Sequence, residues 1–494
     1  MTGAALLLAL CAGPAAGSRP TAAEMAALAA RDLGHMLRVR RLADARNSRY
    51  ISWHAVPQSR LADARKAAAV WIAGHLHTAP GRIRPEDVPG SRGRLQRLDL
   101  RDYRWNAAAW RAVALREPFS VEPAIPSETA IRLRDAIGES QDEKTLHVVA
   151  MVRGDWLLRD TMESDRSTSY YDLLFAGKRF VGGRVVNFPA NESDWNDFFG
   201  IAAAVQALRR SKLDPERGAV VAGNRDDPAR GSIVARNNRV VLIIDAPNGP
   251  ALKTFDTDTT SGDTDYVEGS KDVPRLIEVG KLKAKAGELL ATLPSGGQAG
   301  LLTNDQGNRI EKATLDFAVN TADGRYRDVR TMMGCVTCHA PDNGFIVPKD
   351  SVRESLKAGL DAKFKDRDER NRYRAFYLDW DRKVAGWQAP YKAMLADLGR
   401  DPLDPDDKGW SGAKFAAALI SLRDWYDDPV PLEQAACEVG VAPEELRRAL
   451  SRSPKARLGL LALGRAIPRE AWDRDVFREA VLLVDSLEKK EKAR

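Results

Sequence analysis

Cysteine and histidine are scarce in this chain, which has four cysteines and six histidines among 494 residues. Cys11 lies in the apolar first segment, so Cys335, Cys338 and Cys437 remain for the folded protein. Three thiols allow at most one pair, which excludes a framework of several disulfide bonds. Cys437 stands alone in an apolar helical stretch and is expected to be a small buried side chain.

Long apolar runs and concentrated charge are missing as well. No stretch reaches the eighteen or more apolar residues of a membrane helix, so we expect a soluble mature protein without an integral membrane segment. The 76 basic and 69 acidic residues are interleaved, with a net charge of +7. This pattern is typical of a solvated surface, so no nucleic-acid partner is expected, and a redox partner protein stays unidentified.

The first segment, residues 1–17 with the sequence MTGAALLLALCAGPAAG, predicts a secretory signal peptide. It is a short apolar run that ends in small residues and is too short to span a bilayer. No basic residue precedes Leu6, which leaves the start codon and the cleavage site open. Leu10 disfavours a lipid anchor on Cys11. The protein is therefore expected to be periplasmic or otherwise exported.

The remaining pattern predicts an α+β fold, with helical N- and C-terminal regions around a central antiparallel β-containing region. Apolar residues recur every three or four positions in AAEMAALAARDLGHML, which indicates a helix. NNRVVLIIDAPNGPALKTFD reads as two strands around a turn, and short turns join antiparallel strands. The expected regions are 18–126 (mainly helical), 127–218 (mixed α/β), 219–350 (β-rich, with the Cys-x-x-Cys-His motif) and 351–494 (helical).

GCVTCH places Cys335, Cys338 and His339 at the spacing of c-type haem attachment. In such sites two thiols form thioethers with the vinyl groups of haem, and the adjacent histidine becomes the proximal iron ligand. We therefore expect a covalent haem c and its iron. The Nδ1 atom of His339 should then donate to the carbonyl of Pro341 or of the loop that ends at Pro348.

The motif has two alternative uses, a zinc site and a redox dithiol. A structural zinc site needs four ligands, but there is no second Cys-x-x-Cys, and His75 and His77 would diverge on a helix. A thioredoxin-type dithiol should follow a buried strand, whereas the preceding RYRDVRTMMG is charged. Haem is the favoured cofactor.

The sixth iron ligand is open. Met394 is one candidate, although a lone methionine in YKAMLADLG is more often a core residue. His54 and, less so, His147 are the histidine alternatives, whereas Met332 and Met333 lie too close to the motif to reach the opposite face. A His/Met pair would raise the potential, and an open site would permit ligand binding or peroxide chemistry.

Residues 430–450 have the sequence pattern of a helix-turn-helix, with Gly440 at the turn and Arg447 and Arg448 on the second helix. DNA binding is disfavoured because an exported protein meets no chromosome. Glu444 and Glu445 at the start of the second helix would also repel phosphate. The alternative is a packed helical hairpin.

Several segments, in order along most of the chain, resemble a family of large exported bacterial proteins that carry one c-type haem-attachment motif. They are RYISWHAVP, RLDLRDYRWN, GDWLL with STSYYDLL, ARNNRVV with KTFD, LPSGGQAGLLTNDQGNRI before GCVTCH, and PLEQAACEVGV. The resemblance implies haem attachment at Cys335 and Cys338, His339 as proximal ligand, and electron transfer. At 299–302 and 242–244 small and aliphatic residues stand where the family usually has aromatic residues or histidines.

The function predicted from sequence is that of an exported monohaem c-type cytochrome-like protein for one-electron transfer. Two alternatives stay open: a peroxidase-like haem oxidoreductase with an open distal site, in which His54 would be the polar residue, and a non-catalytic haem sensor or interaction protein. An electron-transfer protein is favoured over a turnover enzyme, so no catalytic residue is assigned.

Overall fold

The computed structural model describes residues 20–119, 125, 127–139, 148–163, 169–176, 189–210, 218–221, 239–256, 285–313, 318–320, 323–345, 367–401, 406–453 and 456–492. The helices in these ranges are α1 (Ala22–Arg38), α2 (Leu42–Asn47), α3 (Gln58–His75), α4 (Ala107–Ala114), α5 (Ser127–Ile137), α6 (Gly154–Met162), α7 (Ser169–Leu174), α8 (Glu192–Phe198), α9 (Ala202–Arg209), α10 (Met333–His339), α11 (Arg367–Leu398), α12 (Gly412–Asp427), α13 (Leu432–Val439), α14 (Pro443–Leu450), α15 (Ala456–Ala462), α16 (Arg469–Ala471) and α17 (Phe477–Lys492). Short 3₁₀ turns span Leu100–Tyr103 and Ala340–Asp342, and a π-helical turn spans Trp472–Val476.

The strands form two sheets and are β1 (Ser48–Ser52), β2 (Glu86–Asp87), β3 (Leu95–Asp99), β4 (Met151–Arg153), β5 (Gly218–Val221), β6 (Arg239–Ile244), β7 (Ala251–Asp256), β8 (Ala286–Thr292), β9 (Gln298–Asn304) and β10 (Arg309–Ile310). The first sheet has the order β2-β3-β1-β4, and its β1–β4 pair is parallel. The second runs β10-β9-β8-β7-β6-β5 and is antiparallel throughout. With helices near both ends of the chain, this confirms the α+β fold predicted from sequence.

Helix α1 shows how local sequence produces these elements. The Thr21 hydroxyl accepts the Glu24 N–H at 3.2 Å, and the Glu24 carboxylate accepts the Thr21 N–H at 2.7 Å. This capping box satisfies two N–H groups that a helix start otherwise leaves unbonded. Ala26, Ala29 and Leu33 fall on one side and are fully buried, as the apolar period predicts.

The chain divides into two compact units, each built from separated stretches. Unit 1 comprises Met1–Ala68, Ile83–Arg159 and Ser421–Arg494, and unit 2 comprises Ala69–Arg82 and Asp160–Ile420. Unit 1 combines the first sheet with the helices from α13 onwards, whereas α11 belongs to unit 2. Strand β1 also lies in a stretch whose pattern predicted only helices.

In unit 2 the antiparallel sheet carries the Cys-x-x-Cys-His segment. One cluster on this sheet joins Ile243 to Phe345 and Val384. A second joins Leu302 to Val329 and to the alanines at 313 and 318. The segments before and after α10 are therefore anchored to the sheet by apolar contacts, which places α10 over its strands.

Residues 430–450, which have the helix-turn-helix pattern, form α13 and α14, and Gly440 adopts φ 87° at the turn between them. Leu446 and Leu450 are fully buried, and Arg447 pairs with Glu444 at 3.0 Å on the exposed side. This is the geometry of a packed helical hairpin. Across the described residues, no helix combines the length and the apolar character required to cross a membrane.

Candidate functional site

Helix α10 is seven residues long and contains Cys335, Cys338 and His339. It begins after Met332, whose φ of 64° lies in the left-handed region that β-carbon-bearing residues rarely adopt. The Met332 sulfur accepts the Gly300 N–H at 3.2 Å, and the Met332 carbonyl accepts the Val336 N–H at 2.8 Å. These bonds hold the strained residue and start the helix against strand β9.

The three motif side chains are buried, with exposures of 2% for Cys335 and 6% for both Cys338 and His339. Both thiols are free. A β-carbon added to Gly300 would lie 3.0 Å from the Cys335 sulfur, so the absence of a side chain on β9 gives the thiol its place. Gly300 is thus a direct neighbour of the motif.

A buried carboxylate on β8 faces the motif. The Glu288 Oε1 atom lies 3.5 Å from the His339 Nε2 atom, and the charge of the same carboxylate acts on the Cys335 thiol. The other carboxylate oxygen lies 3.3 Å from the Arg239 Nη1 atom. Arg239 in turn donates to both oxygens of Asp256, at 2.6 and 3.0 Å. A chain of buried charged groups therefore runs along the sheet to the motif.

The pKa of the Glu288 carboxylate is lowered, whereas the pKa values of the Cys335 and Cys338 thiols are raised. Burial by itself would raise the pKa of Glu288, but His339 and Arg239 beside it lower the pKa to about 2. Burial, followed by the charge of Glu288, raises the pKa of the Cys335 thiol well above its ordinary value and that of Cys338 to about 12. Both sulfurs are therefore protonated at neutral pH, the opposite of a reactive thioredoxin-type cysteine.

The free space at the motif is small. A cavity of about 20 Å³ is lined by Cys338, His339 and Glu288, by Arg239 and Asp256, and by apolar side chains such as Leu302. This volume holds about one water molecule. The motif therefore lies against the sheet, and its polar groups are almost completely shielded from water.

The second ring nitrogen of His339 does not have the partner expected for it. Nδ1 is buried, and no group in the described ranges hydrogen-bonds to it, so the Pro341 carbonyl does not serve. The carbonyl of Gly344 accepts from Gln298, and that of Phe345 accepts from Gln388. Pro348 lies outside the described residues.

The candidates for the sixth iron ligand have other surroundings. Met394 is fully buried on α11, where its sulfur lies 2.3 Å from the position of a β-carbon added to Gly74. His54 belongs to unit 1, and its Nδ1 atom lies 2.8 Å from the Ser52 hydroxyl. His54 Nε2 is buried without a hydrogen bond, and burial lowers the pKa of His54 to about 3. His147 lies outside the described residues.

The donor set of the motif has the chemistry that a covalent haem requires. Two free thiols one turn apart and an imidazole beside the second suit thioether bonds and one axial iron ligand. The cavity between α10 and the sheet is far below the roughly 300 Å³ of even a small ligand pocket. The donor chemistry therefore fits haem, whereas this cavity among the described residues is too small to hold one.

Zinc has less support at this site. In the described part of the chain, no three His, Cys, Asp or Glu side chains converge in a way that could hold a metal ion by themselves.

Comparison with protein-family models, curated proteins and solved structures yields no match for this chain.

Sequence reasoning found the motif but missed Glu288, Arg239 and Asp256. One signal was present, since Glu288 in GELLATL and Arg239 in RVVLII are lone charges in apolar strand runs. A charge in a buried strand is rarely left without a partner. The pattern does not say which residues would pair.

Proposed function

We propose that this chain is a c-type haem protein that carries one haem on Cys335 and Cys338, with His339 as the proximal iron ligand. The observation that carries the proposal is that two free thiols and an imidazole share one face of a seven-residue helix. When bound, the haem would supply an iron atom that gains and loses one electron reversibly.

The chain's own residues have distinct roles in this proposal. Cys335 and Cys338 fix the orientation of the group through two covalent bonds. His339 would supply a nitrogen to the iron from the same helix, and the sheet excludes bulk water from that side. The apolar contacts of Leu302 and Val329 around α10 favour a site that moves electrons over one that admits a polar substrate. One-electron transfer by an exported protein is therefore the favoured activity.

Covalent haem is tested by coexpression with a haem-maturation system. The full chain should keep a haem-stained band on a denaturing gel and a c-type visible spectrum. Cys335→Ser with Cys338→Ser should lose the stained band, whereas Cys437→Ser, which removes the remaining thiol, should keep it. A colourless wild-type protein, or pigment removed by acid-acetone, would overturn the proposal. A spectrum changed by cyanide would instead favour the peroxidase-like alternative.

A further inference from the structure

We propose that a cleft on unit 2, formed by helices α8 and α9 and the turn between strands β9 and β10, binds a neutral, hydroxyl-rich ligand the size of one sugar ring. The cleft has a volume of about 300 Å³, and its polar lining includes Glu192, Asn196, Gln206, Arg209 and Gln306. This volume is at the lower end of small-ligand pockets. The cleft shares no lining residue with the cavity at the motif, so the proposal does not depend on haem attachment.

The walls of the cleft are held together by backbone contacts. The Glu192 N–H at the start of α8 donates to the Gly307 carbonyl in the turn at 2.8 Å. Gly307 has a φ of 76°, and the neighbouring Asn308 forms an antiparallel bridge with Asn191. The helix and the turn are therefore fixed relative to each other. A preformed cleft of this kind spends little binding free energy on ordering its own walls.

Glu192 presents one carboxylate oxygen to the cleft. Its Oε1 atom accepts from the buried Lys253 ammonium, from Arg209 at 3.0 Å and from Asn196 at 3.4 Å. Its Oε2 atom has no hydrogen bond in the described ranges and lies 3.7 Å from the position of a β-carbon added to Gly307, which also lines the cleft. Burial by itself would raise the pKa of Glu192, but the two cations outweigh burial and lower it. The cleft therefore contains an ionised, oriented acceptor for a ligand O–H.

Asn196 provides a second, independent observation. The side chain is 6% exposed and lines the cleft, and its Oδ1 atom is buried without a hydrogen bond in the described part of the chain. Buried side-chain oxygens in native proteins normally accept a hydrogen bond. A ligand hydroxyl beside Glu192 would supply the missing donor.

The mixture of groups selects a neutral ligand. An anion would meet the free oxygen of Glu192, and a cation would meet the two positive charges that flank this carboxylate. A hydroxyl group both donates and accepts, so it can donate to Glu192 and accept from the side-chain amides of Gln206 or Gln306. Val205 adds an aliphatic surface on which the C–H groups of a sugar ring can pack. A monosaccharide combines all of these properties.

The test is saturation-transfer NMR of the full chain with D-glucose, D-galactose, D-mannose and N-acetyl-D-glucosamine, each titrated separately. At least one of these sugars should bind saturably, with a Kd of about 1 mM or tighter. Glu192→Gln should weaken that binding by about tenfold, the effect of losing one charged hydrogen bond. Glu311→Gln is the matched control, because Glu311 also pairs with an arginine, Arg309, at 3.0 Å but does not line the cleft. It should stay within about twofold of wild type.

A second variant guards against misfolding, since Glu192→Gln removes the partner of the buried Lys253. The exposed pair Gln206→Ala with Gln306→Ala leaves that ion pair intact and should also weaken binding by about tenfold.

Three outcomes would overturn the proposal: no saturable binding of any of the four sugars, equal sugar affinity in Glu192→Gln and Glu311→Gln, or displacement of the sugar by sodium phosphate, which would indicate an anion site. Absence of covalent haem from the matured protein would overturn the proposed function and leave the cleft untouched.

Discussion

His339 Nε2 lies 3.5 Å from the Oε1 atom of Glu288, inside unit 2 and away from bulk water. The imidazole is thus in contact with an acid at Nε2, whereas no group in the described ranges hydrogen-bonds to Nδ1. This contact joins helix α10 to strand β8 beside the buried Arg239.

The close approach of Gly300 to the motif predicts a cost for any side chain there. A β-carbon would lie 3.0 Å from the Cys335 sulfur and 3.3 Å from atoms of Leu290 and Met332. Gly300→Ala should lower the free energy of unfolding by about 1 to 3 kcal/mol, as overpacked cores do. Urea denaturation measures this. Gly324→Ala is the control, because nothing lies within 4 Å of its β-carbon, and an equal loss in both would contradict the prediction.

The packing of Met394 predicts that it is a core residue of unit 2 and not the sixth iron ligand. Its sulfur sits against Gly74, and the side chain is fully buried. Met394→Leu conserves volume, so it should cost less than about 1.5 kcal/mol in unfolding free energy. The visible spectrum of the haem-loaded protein should not change. A shifted spectrum with unchanged stability would assign Met394 to the iron.

The ion cluster around Glu438 predicts a large stability effect in unit 1. Its carboxylate accepts from Arg469 at 2.9 Å and from the Trp472 ring N–H at 2.7 Å, and it pairs with Arg153 at 2.9 Å. Burial raises the pKa of Glu438, but the two arginines outweigh burial and lower it well below its ordinary value.

Glu438→Gln leaves two buried cations short of a partner, so it should cost about 3 to 5 kcal/mol in denaturant unfolding. Glu444→Gln removes an exposed acid that pairs with Arg447, and should stay within experimental error of wild type. Comparable losses in the two variants would show that the cluster is not responsible.

His75 predicts loss of stability on acidification. The ring is stacked on Trp71 and Phe415, and its Nδ1 atom lies 2.9 Å from the Gln298 carbonyl oxygen. Burial lowers the pKa of His75 from 6.5 to about 4. Between these values the unfolded chain binds more protons than the folded one, so stability is complete above pH 6.5 and falls as pH drops towards 4.

The slope from this one residue is about 1.4 kcal/mol per pH unit. His75→Gln should therefore flatten the pH dependence of the unfolding free energy across that window. His35→Gln, at an exposed position of α1, is the control and should keep the wild-type slope. Identical slopes in all three proteins would show that His75 does not titrate on unfolding.

Local patterns predicted much of this architecture. The capping box of α1 and the strand-turn-strand stretch at β6 and β7 are encoded within a few residues. The Cys-x-x-Cys-His spacing likewise places two thiols and an imidazole on one helix face without help from the rest of the fold. Periodicity and turn residues act over one or two turns of chain, so one sequence suffices to recognise them.

The partners of those elements were decided by the tertiary structure. Strand β1 lies in a stretch whose apolar spacing predicts helices, and it forms because β3 and β4 pair with it. His75 contacts Gln298, which is 223 residues away in sequence, and Glu288 on strand β8 contacts His339 on helix α10. A hydrophobic pattern states which face is buried but not what covers it. The sequence alone thus predicted the α1 helix, the β6–β7 hairpin and the motif. Packing decided which acid lies against the Nε2 atom of His339, because that contact joins a strand and a helix that are distant in sequence.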